Sequence, residues 1–175
     1  MTKYQKNANP KYSLLEIERK WTVNKDKLPD ISKLKLIEIT DKYFPGTRTR
    51  LRRMFDTETK DVKYKLTKKY GKITQQTEPL TTLYLSEFEY DLFNKLEGYV
   101  LIKSLYQYPY NGNVFLLELF IKPEVGFILM EVEASSEKII NELEVPDFVI
   151  YDVTNVKEYE GYSIAGRNES VCKNR

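Results

Sequence analysis

Short runs rich in Ile, Val, Leu, Tyr and Thr recur along the chain between turn signals, a pattern of many strands rather than long helices. Strands are predicted near residues 12–22, 34–43, 47–56, 61–70, 98–109, 113–121, 127–134 and 147–153. Turn residues separate most of them: Pro29-Asp30, Pro45-Gly46, Asn111-Gly112 and the stretch from Pro123 to Gly126. Asn111-Gly112, between two aliphatic and aromatic runs, predicts a tight hairpin, because both central residues of such a turn need φ above zero. One segment breaks the pattern. Ser86 precedes Glu89 at the spacing of a capping box, and Phe88, Leu92, Phe93 and Leu96 follow at helical intervals up to Gly98. This predicts an amphipathic helix packed outside the sheet or across its end. A second helix is expected over 135–143, after Ser135 and Ser136. The fold class is mainly β (α+β), with a few flanking helices.

Alternation within the strands sorts the charges. Glu16, Glu18 and Lys20 share one face of the first strand, opposite Leu15, Ile17 and Trp21. Arg48, Arg50 and Arg52 share a face of the third, and Lys63, Lys65, Thr67 and Lys69 a face of the fourth. Later, Glu131 and Glu133 lie opposite Ile128, Met130 and Val132, and Glu118 sits between Leu117 and Leu119. An antiparallel sheet with one wet face would alternate in the same way. Such a face mixes signs for local pairing, whereas here acids gather on the first and last strands and bases on the third and fourth. Residues 42–72 hold eleven lysines and arginines against three acids, and residues 131–160 hold nine acids against two lysines. If the sheet closes with these faces inward, its interior has an acidic and a basic wall. That chemistry suits an anionic ligand together with divalent cations.

Composition narrows the field. The 175 residues suggest one domain, with a core over about 12–165 and tails at 1–11 and 166–175. There is no histidine, which excludes Ser-His-Asp and Cys-His catalysis and histidine-bound zinc. The lone cysteine, Cys172, excludes an internal disulfide framework and a cysteine-built metal site. A net charge of +2 argues against a wholesale nucleic-acid or membrane-surface binder. The N-terminus, MTKYQKNANP, has no apolar signal region, and no apolar run reaches the length of a membrane span. The expected location is cytoplasmic. A homodimer is left open.

The string Glu16-Ile-Glu-Arg-Lys20 resembles the ExExK signature of the CYTH superfamily, the triphosphate tunnel metalloenzymes. Arg50-Leu-Arg52 resembles the RxR strand of that family, and Thr67-Lys-Lys69 its TxK strand. The stretch Thr81–Lys103 resembles the linking segment of bacterial members, GFILMEVE (126–133) their late acidic strand, and Asp152-Val-Thr154 with Tyr159 their closing motif. The similarity runs in order from about 14 to 165. It implies a closed eight-stranded antiparallel β-barrel, or tunnel, that takes a triphosphate-containing small molecule with Mg²⁺ or Mn²⁺. Members hydrolyse inorganic triphosphate, nucleoside triphosphates or thiamine triphosphate, and some cyclise ATP.

Carried over, the resemblance makes Glu16, Glu18, Glu131 and Glu133 metal ligands. It makes Lys20, Arg50, Arg52, Lys69 and Lys103 phosphate-binding, with Lys65 added because it shares their face. Glu118 and Glu18 are the candidates for positioning water. Arg48, Arg53 and Lys68 read as solvated or paired on the outside. Three positions depart from the family pattern: Leu105 replaces a phosphate-facing arginine, Asp152 a glutamate and Gly161 an asparagine. The expected activity is metal-dependent triphosphate hydrolysis. The alternatives are a polyphosphate- or nucleotide-binding module without turnover and an adenylate cyclase of the same fold. A nucleic-acid binder using residues 42–72 ranks last.

Overall fold

The computed structural model describes residues 10–167. Most of the expected tails, with Cys172, lies outside the described residues. Among the described residues nine strands form: β1 (Leu14–Val23), β2 (Leu36–Tyr43), β3 (Thr49–Asp56), β4 (Val62–Lys69), β5 (Thr77–Leu85), β6 (Tyr99–Tyr110), β7 (Asn113–Lys122), β8 (Leu129–Glu133) and β9 (Val149–Asp152). Three short helices accompany them: α1 (Glu87–Asn94), α2 (Glu137–Glu142) and α3 (Gly161–Ala165). Among the described residues no helix is long and apolar enough to cross a membrane.

The sheet order is β5-β4-β3-β2-β6-β7-β8-β1, and β1 returns to β5, so eight antiparallel strands close into a barrel. The expected count of eight is right, but its membership differs. The strand predicted at 147–153 is β9, an extra strand beside β1, and the barrel strand β5 is not among those predicted. Long β1 makes the closure possible. Leu14–Ile17 pair with β5, Glu18–Thr22 with β8, and Trp21–Val23 with β9. The hairpin at Asn111-Gly112 forms as expected, with φ of 46° and 74° at its two central residues.

Closure inverts the usual distribution of a small barrel. On β1, β7 and β8 the outward residues Trp21, Phe115, Leu117, Met130 and Val132 form the main apolar core, covered by Ile140 of α2 and by Phe148. Each such side chain contributes about 1.5–3 kcal/mol by leaving water. A second cluster closes one end of the barrel, where Ile164 and Ala165 of α3 pack on Leu101, Phe120 and Leu129. The interior is left to the polar phase of each strand.

Helix α1 starts where its capping box predicts: the Glu89 amide donates to Ser86 Oγ, and the Ser86 amide donates to the Glu89 carboxylate. Its buried face differs from expectation. Tyr90 packs inward, with its ring 4.6 Å from that of Tyr64, while Phe88, Leu92 and Leu96 stay exposed. Ser86→Ala removes one orphan-amide partner, so chemical denaturation is expected to show a loss of about 1 kcal/mol with the fold intact.

Candidate functional site

The inward faces enclose a cavity of about 390 Å³. Glu16, Glu18 and Lys20 of β1 enter it from one side, and Arg50 and Arg52 of β3, with Thr67 and Lys69 of β4, from the other. Lys103 of β6, Glu118 of β7, and Glu131 and Glu133 of β8 complete the wall. Ten of the eleven predicted site residues therefore meet in one space. Lys65 does not. It pairs with Arg52 across the strands, but its ammonium sits 5.2 Å from the Tyr84 ring, away from the cavity. Arg48, read as solvated, lines the cavity instead. Arg53 lies outside over Phe55, and Lys68 is exposed, both as expected.

Opposite charges are interleaved by register. Lys20 and Glu131 are cross-strand partners, with Nζ 3.1 Å from Oε2. Lys69 bonds Glu16 and lies 3.6 Å from Glu78. Lys72 lies 3.7 Å from Glu18. Lys103 bonds Glu118, and the two are 7 % and 2 % exposed. The Arg52 guanidinium donates from Nε and Nη2 to the two oxygens of Asp41, at 2.6 and 2.7 Å. Arg50 Nε lies 3.8 Å from the same carboxylate and has no hydrogen-bond partner.

These contacts set the protonation states. Burial opposes charge on Asp41, but Arg52 and Arg50 outweigh it and hold the carboxyl at about 2. Burial likewise opposes charge on Glu131, and Lys20 and Lys103 pull it down to about 2. Burial also works against the Lys20 ammonium, yet Glu131 and Glu18 hold it well above its ordinary value. Glu133 moves the other way. Burial first, then Glu16, Glu131 and Glu18, raise its carboxyl. Lys69 opposes this rise but does not outweigh it.

The sequence reading missed Asp41, Tyr43, Lys72 and Glu78, of which all but Asp41 line the cavity. Asp41 shares the β2 phase of Ile39 and Tyr43, and an acid alone in an apolar phase was the available signal. The departures from the family pattern also find places. Leu105 shares the inward phase of Lys103, as expected, but it is buried and does not line the cavity. It sits one step along from Lys103, paired with Ile37 and Glu118. Asp152 faces outward and accepts from Arg19 Nε and Nη2 at 3.1 and 2.7 Å. Gly161 lines the cavity, and a Cβ there would come within 2.0 Å of the Tyr43 hydroxyl.

Among the described residues no group of three or more carboxylates is arranged to hold a metal ion, since lysines occupy the acidic wall. The donor chemistry itself, all carboxylate oxygen on Glu16, Glu18, Glu131 and Glu133, fits a hard cation such as Mg²⁺ or Mn²⁺.

Two predictions follow from this geometry. Leu105→Arg places a new charge in a filled interior at a cost of several kcal/mol before any pairing. A melting curve should show destabilisation, and a tripolyphosphate titration no gain in affinity. The second concerns acid. Asp41 and Glu131 are held below their ordinary 3.8 and 4.5, so the stability they contribute is present above about pH 4.5 and lost as pH falls toward 2. For Asp41 that contribution is on the order of 2 kcal/mol. Urea unfolding between pH 2 and 6 should show the loss, reduced in Asp41→Asn.

No family model matches the chain, and no curated protein matches it in sequence. Solved structures do. NE1496, described once as a hypothetical protein and once as an inorganic triphosphatase, superposes with TM-scores of 0.56 and 0.55 at 24% and 23% identity. The match covers 86% of this chain and 97% and 93% of the two NE1496 chains. A candidate adenylate cyclase from Bacillus halodurans superposes with a TM-score of 0.52 at 16% identity, over 74% of this chain and 86% of that one. At such identities the likeness concerns architecture. The chain shares with these structures the fold described above, a closed eight-stranded antiparallel barrel.

Proposed function

We propose that the cavity binds a triphosphate with a divalent cation and hydrolyses its terminal anhydride. The observation that carries this reading is the convergence of an acidic wall and a basic wall, from separate strands, on one enclosed space. Arg50, Arg52, Lys20, Lys69 and Lys103 are the phosphate ligands. The arginines offer planar forks and the lysines point charges, and together they neutralise the anion and hold it for in-line attack. Glu16, Glu18, Glu131 and Glu133 are the cation ligands. A Mg²⁺ or Mn²⁺ held by them would supply Lewis acidity and help to activate water.

Loading requires an exchange of partners. Lys20 and Lys69 leave Glu131 and Glu16 for phosphate oxygens, which frees those carboxylates. Glu118 or Glu18 then orients water toward the terminal phosphorus. Placement and electrostatic stabilisation of the transferring phosphoryl group do most of the work. Lys65, off the cavity, has no part in this scheme.

A substrate panel tests it: tripolyphosphate, the four nucleoside triphosphates and thiamine triphosphate, each with Mg²⁺ and Mn²⁺ and with EDTA, assayed for phosphate and for cyclic nucleotide. Metal-dependent phosphate release from at least one compound is expected. Cyclic nucleotide without phosphate would replace hydrolysis by cyclisation, and binding without either product would leave a binding module. Glu16→Gln together with Glu18→Gln removes charge but little volume. Calorimetry should show Mn²⁺ affinity reduced at least about tenfold in the folded double variant, and unchanged affinity would remove the acidic wall from the metal site.

A further inference from the structure

Asp41 plays no part in the scheme above, yet it is 0 % exposed at the base of the basic wall. Its two oxygens take the Nε and Nη2 protons of Arg52 at 2.6 and 2.7 Å. Arg50 approaches the same carboxylate at 3.8 Å, and the Tyr43 hydroxyl donates to it at 3.5 Å. A guanidinium has five N–H donors, so two are spent on Asp41 and three remain for a ligand. A fork bonded along one edge is fixed in plane and rotation. Because Asp41 is enclosed, an incoming phosphate cannot displace it. Arg52 therefore meets a ligand with its orientation already set and its charge partly balanced.

We propose that Asp41 is a positioning residue, which orients Arg52, and with it Arg50, toward the transferring phosphoryl group at the expense of raw attraction for the anion. The proposal rests on the triphosphatase reading. Its signature is a split. Without Asp41, the Arg52 charge is no longer balanced, so ground-state affinity for an anion holds or rises. Its geometry loosens, so the rate falls. A merely structural residue would lower both, or act only through stability.

The test compares wild type, Asp41→Asn, Arg52→Lys, Arg52→Gln and the double variant Asp41→Asn/Arg52→Gln. Each is measured for tripolyphosphate hydrolysis, for tripolyphosphate affinity by calorimetry, and for the arginine Nε–Hε signals in a ¹⁵N–¹H spectrum. The Arg52 signal is the one missing in Arg52→Gln. In wild type it should be a slowly exchanging, downfield resonance, and in Asp41→Asn it should collapse into the exposed-arginine region. Asp41→Asn should lower kcat at least about tenfold, with tripolyphosphate binding within about threefold of wild type or tighter. The double variant should match Arg52→Gln, because Asp41 has nothing left to position.

If Asp41→Asn does not fold, Arg52→Lys decides the question. Lysine keeps the charge but cannot span both oxygens, and the same loss of rate is expected. The proposal is overturned by an Arg52 signal that is exposed in wild type or unmoved in Asp41→Asn. An undiminished kcat in folded Asp41→Asn or in Arg52→Lys also overturns it, as does a double variant slower than Arg52→Gln. If wild type releases no phosphate, the triphosphatase reading fails on its own. Asp41 is then judged by the Arg52 signal and by whether Asp41→Asn keeps or gains tripolyphosphate affinity.

Discussion

A closed barrel that turns its charged phase inward must satisfy those charges from within. Water-exposed ion pairs contribute little, but a buried ion without a partner costs several kcal/mol. This constraint organises the molecule. Closure of β1 onto β5 brings Glu16 and Lys69 together, and the β1–β8 register sets Lys20 beside Glu131. Farther round, β6 and β7 bury Lys103 with Glu118, and β2 and β3 bury Asp41 with Arg52. Each pair bridges two strands, so the set favours the observed register. With the interior committed to charge, the apolar surface has to be buried on the outside, and α2, Phe148 and the outer faces of β1, β7 and β8 form the core there.

Such pairs are weak sources of stability, because the attraction between partners roughly repays their loss of water. They are better described as placeholders. A lysine held by a carboxylate is already desolvated and aimed inward, and exchanging that carboxylate for a phosphate oxygen leaves its charge paired. On the function proposed above, anion and cation each need the group that the other releases. Their binding is then coupled, and by linkage each strengthens the other to the same degree. Glu133 fits this account. Burial first, then the neighbouring acids, outweigh Lys69 and raise its carboxyl, as expected of a wall that gathers acids from β1 and β8.

Much of this was legible in the sequence, for a physical reason. Period-two alternation reports phase directly, so Glu16, Glu18, Lys20, Arg50, Arg52 and Lys69 are placed on one surface before any fold is known. Chain turns were equally plain at Asn111-Gly112, where no other pair so favours two positive φ angles. What escaped depended on tertiary pairing. β5 reads poorly as a strand because Pro79 interrupts it, yet Pro79 lies where β5 passes from β4 to β1 as its partner. Helix α1 carries two apolar stripes, Phe88/Leu92 and Tyr90/Phe93, and the contact of Tyr90 with Tyr64 selects the second. Lys65 has the right phase, but its ammonium lies over the Tyr84 ring and not in the cavity, a choice that alternation does not encode. Helix α3, five residues long, is too short for any period to show.

Asp41, Tyr43 and Gly161 tie the basic wall to the closing segment of the chain. The Tyr43 phenol is partly buried and close to Asp41, and both effects, loss of water first, push it up to about 12, so it stays a neutral donor. Its hydroxyl fills the space where a side chain at 161 would begin, and its ring meets that of Tyr162 edge-on at 6.2 Å. Gly161 is thus not simply a lost asparagine. The residue that faces it has taken the room. Lys157, Tyr159 and Glu160 line the same end of the cavity, so the closing segment is a wall of the site as well as a cover for Leu101 and Phe120. The Asp41 carboxylate therefore lies behind two walls. It fixes Arg52 on one and, through Tyr43, meets the backbone of the other, so a change at position 161 would be felt at the guanidiniums.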